Sequence, residues 1–311
     1  MVLLITREIP PSVAARAARE YEVRQIALRG LFNPALVLEN ISGVNAILCT
    51  PADRFDGALI GQLPSAVKVI ATYSVGLEHI DLAAAAARQI EICNTPDVLS
   101  TATAELALTL MLMAARRASE GERLLRAGQW QGLSPTFHLG RGVAGKALGI
   151  FGMGRIGREL AAMARGLNMT IHYRNRTKLP PALEAGAIYH DNDADFLGAI
   201  DFLSINAPGG EATFHWLNEA RIAQLKPGAI VVNTGRGSAV DDEALIAALR
   251  SGRVLAAGLD VFNNEPRIHP GYLELENAVL LPHIGSATVE ARDAMGFLAL
   301  DGIARVLKPT A

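Results

Sequence analysis

Residues 149–160, GIFGMGRIGREL, restrict the fold more than any other part of the chain. An apolar run enters the stretch, Gly152, Gly154 and Gly157 stand in G-x-G-x-x-G spacing, and an amphipathic helical pattern leaves it. A strand that turns into a helix through such a loop belongs to a layered α/β protein. The first glycine permits the tight turn, the second lets a pyrophosphate approach the main chain, and the third packs helix against strand. The helix N-terminus then offers N–H groups and partial positive charge to phosphates. A strand–helix turn without a ligand would need only the glycines; the flanking periodicities point to a dinucleotide.

Short apolar runs alternate with helical stretches along the rest of the chain, so parallel sheets are expected throughout. The first series of strands reads as VLLIT (2–6), YEVRQIA (21–27), NAILCT (45–50), VKVIATY (67–73) and IEICNT (90–95). PSVAARAARE and DLAAAAARQ read as helices between them, and this part has no glycine-rich phosphate loop. One continuous amphipathic helix is expected over 100–128, capped by Ser100 or Thr101 and stopped by Gly128. An irregular arm with Trp130 and Phe137 follows; leaving it exposed is unfavourable, which points to a subunit contact. The second series continues as DFLSINAP (201–208), GAIVVNTG (228–235), VLAAGLDVF (254–262) and NAVLLPH (277–283). A helical tail over 286–308 is long enough to return to the first domain, which would then comprise 1–96 plus 286–311, with 97–285 inserted as the cofactor domain.

The place about 20 residues after the first glycine, where NAD-binding units carry an acid for the ribose hydroxyls, reads HYRNRT. An acid there repels a 2′-phosphate, whereas Arg174 and Arg176 would attract one through charge-assisted bonds. The expected cofactor is therefore NADPH; the plainer reading is a solvated basic loop.

Three strand ends carry further chemistry: Arg236 in VVNTGRGSAV, Asp260 and Glu265 in GLDVFNNEP, and His283 in AVLLPHIGSAT. Open α/β sheets bind ligands at their strand C-termini. Taken singly, Arg236 could be a surface residue, Glu265 a turn acid and His283 a core histidine; taken together, they could meet beside one nicotinamide. His269, in RIHPG, is the rival histidine but lies in a Pro/Gly loop.

With these stretches in hand the chain resembles the D-isomer-specific 2-hydroxyacid dehydrogenase family. The matching segments are SVGLEHIDL, NTPDVLSTATAELAL, GKALGIFGMGRIGREL, NTGRGSAVDDEAL, GLDVFNNEP and LPHIGSAT, in order over nearly the whole length. The resemblance implies two Rossmann-like domains, each a doubly wound parallel sheet, with the active-site cleft between them. It implies a homodimer through the 100–142 helix and arm. It assigns Arg236, Glu265 and His283 as the catalytic set, with Val75, Gly76 and Arg236 on the substrate. The cofactor set on the same basis is Thr103, Gly152, Gly154, Arg155, Ile156, Gly157, Arg174, Asn175, Arg176, Thr177, Ala207, Pro208, Thr213, Thr234, Asp260, His283 and Gly285. Asp260 is expected on the nicotinamide side. HYRNRT is similar to the NADP-preferring glyoxylate/hydroxypyruvate reductase branch, where the arginine matching Arg176 is the firmer phosphate ligand and Arg174 the weaker candidate.

A net charge of −2 gives no broad field for nucleic acid or an acidic membrane surface. No metal is called for, no apolar run is long enough to span a bilayer, and MVLLITREIP does not read as a signal peptide. Cys49 and Cys93 lie in apolar runs and fit a reducing cytoplasm as core thiols. A phosphoglycerate-type dehydrogenase and a dinucleotide-sensing corepressor remain alternatives, the first weakened by the lack of a domain after residue 311, the second by the lack of a basic tail. Among glyoxylate, hydroxypyruvate, pyruvate and aromatic 2-oxoacids the sequence does not choose.

Overall fold

The computed structural model describes residues 1–26, 28 and 30–308. They divide into two compact units, Met1–Leu99 with Ser286–Ala311, and Ser100–Gly285. Ala27, the end of the YEVRQIA run, lies outside the described residues, as do 309–311 of the tail.

The first unit is a five-stranded parallel sheet of β1 (Val2–Ile5), β2 (Glu22–Gln25), β3 (Val44–Cys49), β4 (Val69–Thr72) and β5 (Glu91–Cys93), in the order β2-β1-β3-β4-β5. This is the flavodoxin-like order. Leu3, Leu4, Ile47, Ile70 and Ala71 are fully buried, which explains why these strands read as continuous apolar runs rather than alternating ones. Each large side chain so buried contributes about 1.5–3 kcal/mol. The helix Val289–Leu307, capped by the Thr288 hydroxyl on the Ala291 N–H, packs beside β4 and the helix Pro11–Glu20. Its Gly296 is obligatory there: a Cβ would stand 2.0 Å from the Tyr73 hydroxyl and 2.5 Å from Val13. Ser12 donates to Asp293 at 2.6 Å and Arg16 to Asp301 at 2.5 Å, tying the two helices together.

Asp53 is a fully buried acid in the loop after β3. It accepts from the Thr6 hydroxyl (2.7 Å), the Thr50 N–H (2.9 Å) and Arg7 Nε (2.7 Å), so its charge is paired and both oxygens are bonded.

The second unit has seven parallel strands: β6 (Ala147–Phe151), β7 (Thr170–Arg174), β8 (Ile188–Tyr189), β9 (Phe202–Ile205), β10 (Ala229–Asn233), β11 (Val254–Leu259) and β12 (Ala278–Leu280). Their order is β12-β11-β10-β9-β6-β7-β8. Read from β8, that is the doubly wound nucleotide-binding order with one strand added, and the order reverses between β6 and β9.

One expectation is corrected here. The single helix over 100–128 is two, Ser100–Ala115 and Ala118–Arg126, and Ser100 already belongs to the first helix rather than capping it. Arg117 breaks the run with φ +53°, a left-handed conformation that arginine rarely adopts. Contacts distant in sequence hold it there: the Arg141 N–H bonds the Ala115 carbonyl at 2.7 Å and His138 bonds the Arg117 carbonyl, while Arg117 pairs locally with Glu120. Gly128, at φ +68°, does end the second helix.

Candidate active site

β6 delivers the glycine loop. Gly152 has φ +92°, and a Cβ on it would stand 2.6 Å from the main chain of Ala207. A Cβ on Gly157 would stand 2.8 Å from the Gly152 carbonyl, so helix and strand pack at glycine distance. Gly154 differs: a Cβ there meets nothing within 4 Å. Two glycines thus satisfy the protein and one faces open space at the start of the helix Arg155–Arg165, whose N-terminus has no side-chain cap. An open loop on an uncapped helix N-terminus fits a pyrophosphate. Arg155 opens that helix, and Ile156 is half-buried behind it.

β7 ends at Arg174. Asn175 turns back, and its Oδ1 accepts the Met153 N–H at 2.7 Å, which joins this loop to the glycine loop. Arg176 and Thr177 are exposed. Arg174 is not free: its Nε donates to Asp193 at 3.1 Å and its Nη1 to the Asn175 carbonyl at 2.5 Å.

Beyond β9 the chain passes through Asn206, buried Ala207 and exposed Pro208, whose carbonyl accepts the Thr213 hydroxyl at 2.8 Å. Asn206 Oδ1 accepts the Thr234 hydroxyl at 3.1 Å, linking the ends of β9 and β10. After β10, Asn233 shapes the turn that presents Arg236: its Oδ1 accepts the Gly235 N–H and its Nδ2 donates to the Arg236 carbonyl. Asn233 escaped the sequence reading, although an amide beside a Gly-Arg-Gly turn is a common turn-former. Gly237 lies so close to Phe262 that no side chain fits, bringing the Arg236 turn against the segment that carries Glu265.

Glu265 and His283 meet. His283 Nδ1 lies 2.6 Å from Glu265 Oε2, and Glu265 Oε1 accepts the Phe262 N–H at 2.8 Å. Burial alone would raise the Glu265 carboxyl, but the hydrogen bond and charge of His283, the Phe262 N–H and nearby Arg236 together hold it below its ordinary range. The Glu265 hydrogen bond, followed by opposing burial and then the charges of Glu265 and Asp260, raises His283 above its ordinary value. A carboxylate only accepts, so Nδ1 carries the proton between them and Nε2 is the nitrogen left for chemistry. The ring side chain is 49 % exposed, open to both a substrate and solvent protons.

Asp260 is almost wholly buried, and its two oxygens accept the N–H groups of Ile284 (2.7 Å) and Gly285 (2.8 Å). It therefore braces the peptide just after His283, whose own φ is +54°. Burial raises its carboxyl above the ordinary range, against the two N–H bonds. Thr103 lies beside it, its hydroxyl 3.5 Å from where a Cβ on Gly285 would be. His269, the rival histidine, instead caps a short helix through the Gly271 N–H and bonds Glu243 at 2.9 Å. Val75 and Gly76 belong to the first unit, in the turn after β4, where Asn94 Nδ2 donates to the Val75 carbonyl and the Ser74 hydroxyl to the Gly76 carbonyl. Cys49 and Cys93 are buried, and burial raises both thiols, which leaves them poor nucleophiles.

Residues 108–285 fit the model of the D-isomer specific 2-hydroxyacid dehydrogenase, NAD binding domain. The chain belongs to that family. It is 41 % identical over 301 residues to glycerate dehydrogenase of Hyphomicrobium methylovorum, covering 96 % of this chain and 94 % of the relative. It is also 41 % identical over 301 residues to glyoxylate reductase of Thermococcus litoralis, covering 95 % and 90 %. The NADPH-dependent glyoxylate/hydroxypyruvate reductase of Sinorhizobium meliloti, solved with NADP and malonate, superposes with a TM-score of 0.87 at 33 % identity, over 100 % of this chain and 95 % of that one. The family fold of two parallel α/β sheets is the one described above, and no helix among the described residues is long and apolar enough to cross a membrane.

Proposed function

We propose that this protein reduces a small 2-oxoacid to the D-2-hydroxyacid with NADPH, with His283 as the general acid. The observation that carries the reading is the 2.6 Å contact between His283 Nδ1 and Glu265, which leaves Nε2 open at a strand end of the nucleotide-binding sheet. Bound NADPH supplies a hydride to the substrate C2. His283 Nε2 gives its proton to the carbonyl oxygen as negative charge grows there, and its exposed face lets solvent restore the proton. Glu265 orients the ring and stabilises its charged form. Arg236 holds the carboxylate and polarises the carbonyl. Asp260 fixes the backbone that carries the histidine.

The glyoxylate reductases and the glycerate dehydrogenase among the relatives favour a two- or three-carbon acid, and the NADP complex of the Sinorhizobium enzyme favours the phosphorylated cofactor. Trp130, 55 % exposed, and Leu133, 91 % exposed, favour a homodimer through the arm, to be checked as a species of twice 33.0 kDa by sedimentation. The buried thiols fit a reducing cytoplasm. The deciding experiment follows cofactor oxidation with glyoxylate, hydroxypyruvate, pyruvate and phenylpyruvate, with NADPH and with NADH, and identifies the product enantiomer by chiral chromatography. Turnover of none of these acids, or a product of L configuration, would overturn the proposal.

A further inference from the structure

Arg174 and Arg176 are two residues apart but differ in their surroundings. Asp193, at the start of the helix Asp193–Ala199, gathers three donors: Arg174 Nε on one oxygen at 3.1 Å, and Arg221 Nε (2.7 Å) and Trp216 Nε1 (3.2 Å) on the other. The Arg174 and Asp193 side chains are only 23 % and 21 % exposed, so this pair is screened less than a surface bridge. The cluster continues inward. Arg221 lies over the Trp216 ring, and that ring stacks on Phe151 with centroids 3.6 Å apart and planes within 5°. Phe151 is the residue before Gly152. Trp216 and Asp193 therefore fix Arg174 to the same strand end that carries the glycine loop. On its other side the segment is held by Asn175 on the Met153 N–H. Arg176, between Asn175 and Thr177, is exposed and makes no hydrogen bond or ion pair among the described residues.

We propose that Asp193 decides which arginine reads the adenosine 2′-phosphate: it holds Arg174 back as a fixed wall and leaves Arg176 as the ligand. This inference rests on the NADPH reading. Asp193 is a positioning residue whose carboxylate also sets the local charge. With Asp193, the cluster of Arg174 and Arg221 carries one net positive charge; without its negative charge it carries two, and Arg174 can turn to an incoming phosphate. Discrimination against the unphosphorylated cofactor is then lower than two arginines could give, and the loop keeps one shape whether or not the phosphate is present.

The test measures calorimetric dissociation constants of the full chain for adenosine 2′,5′-bisphosphate and for adenosine 5′-monophosphate, which differ only by the 2′-phosphate. Wild type should bind the bisphosphate at least about tenfold more tightly. Arg176→Ala should reduce that ratio by about tenfold or more, and Arg174→Ala by less than about threefold. Asp193→Asn, which keeps an acceptor for Trp216, should raise the ratio by roughly three- to tenfold, and the gain should vanish when Arg174→Ala is added. Asp193→Glu should behave as wild type. A merely structural role would change both affinities alike and leave the ratio where it was, which overturns the assignment. So does an Arg174→Ala loss as large as that of Arg176→Ala. A wild-type ratio near one overturns the NADPH reading itself, whereas a high wild-type ratio with the variants failing overturns only the role of Asp193.

Discussion

The two units are built alike and used differently. Each is a parallel sheet wrapped by helices, yet their buried or half-buried acids have unlike partners. In the first unit both oxygens of Asp53 accept from its own neighbours, and Arg7 neutralises it. In the second, Glu265 directs one oxygen at the main chain and the other at a half-exposed histidine. A closed set of partners holds a loop in place; a set that leads outward to one open nitrogen can move a proton. Architecture does not separate the units, but the wiring at the strand ends does.

The sharpest break in that comparison is His283→Ala. Loss of a general acid should lower the rate of 2-oxoacid reduction by roughly 10²–10⁴-fold, with the fold intact by circular dichroism. A rate within threefold of wild type would leave the Glu265 contact with no more than a structural task.

Asp53→Ala should give the opposite pattern. It removes the anionic partner of the Arg7 guanidinium, which keeps only carbonyl acceptors, and the acceptor of the Thr50 N–H, at a cost of roughly 3–5 kcal/mol in stability. Both tryptophans, Trp130 and Trp216, lie in the second unit, so urea unfolding can be followed separately. The far-ultraviolet transition should move to lower urea while the tryptophan transition moves less. If both move together, the units unfold as one and the contrast drawn above is not energetic.

Glu265→Gln is the finer test. His283 sits above its ordinary value chiefly through Glu265, so it keeps its proton to higher pH. Reductive kcat/KM should then be level on the acid side and fall as pH rises through that raised value. With glutamine the histidine loses its charged partner and titrates lower, so the fall should begin at lower pH and activity on the alkaline side should drop by about tenfold. An unmoved alkaline limb would detach Glu265 from the proton.

Much of this was legible because parallel strands buried on both faces need unbroken apolar runs, and such runs are visible in a sequence. The observed strands lie within those runs or start one residue early, and stop sooner. VLAAGLDVF leaves the ladder at Leu259 because Asp260 turns to brace residues 284 and 285, a partner distant in sequence. Two-residue β8 has no room for a pattern. The helix break at Arg117 carries no glycine or proline; its cause lies at His138 and Arg141. Arg236, Glu265 and His283 stood out as chemical residue types at strand ends, and the glycine loop by its spacing. The capture of Arg174 did not, since nothing in HYRNRT says which of several downstream acids the fold will set beside it.

The return of the helix Val289–Leu307 to the first unit has a consequence for synthesis. When residues 1–99 leave the ribosome, the cover that Gly296 and its helix give to β4, Val13 and Tyr73 does not yet exist, because 100–285 must be made first. At about 5–20 residues per second that takes on the order of ten to forty seconds. The second unit, continuous in sequence, can fold during that interval, while the amino-terminal sheet waits with an apolar face uncovered. The chain is therefore expected to fold from its middle outward, with its first-made strands the ones most in need of a chaperone.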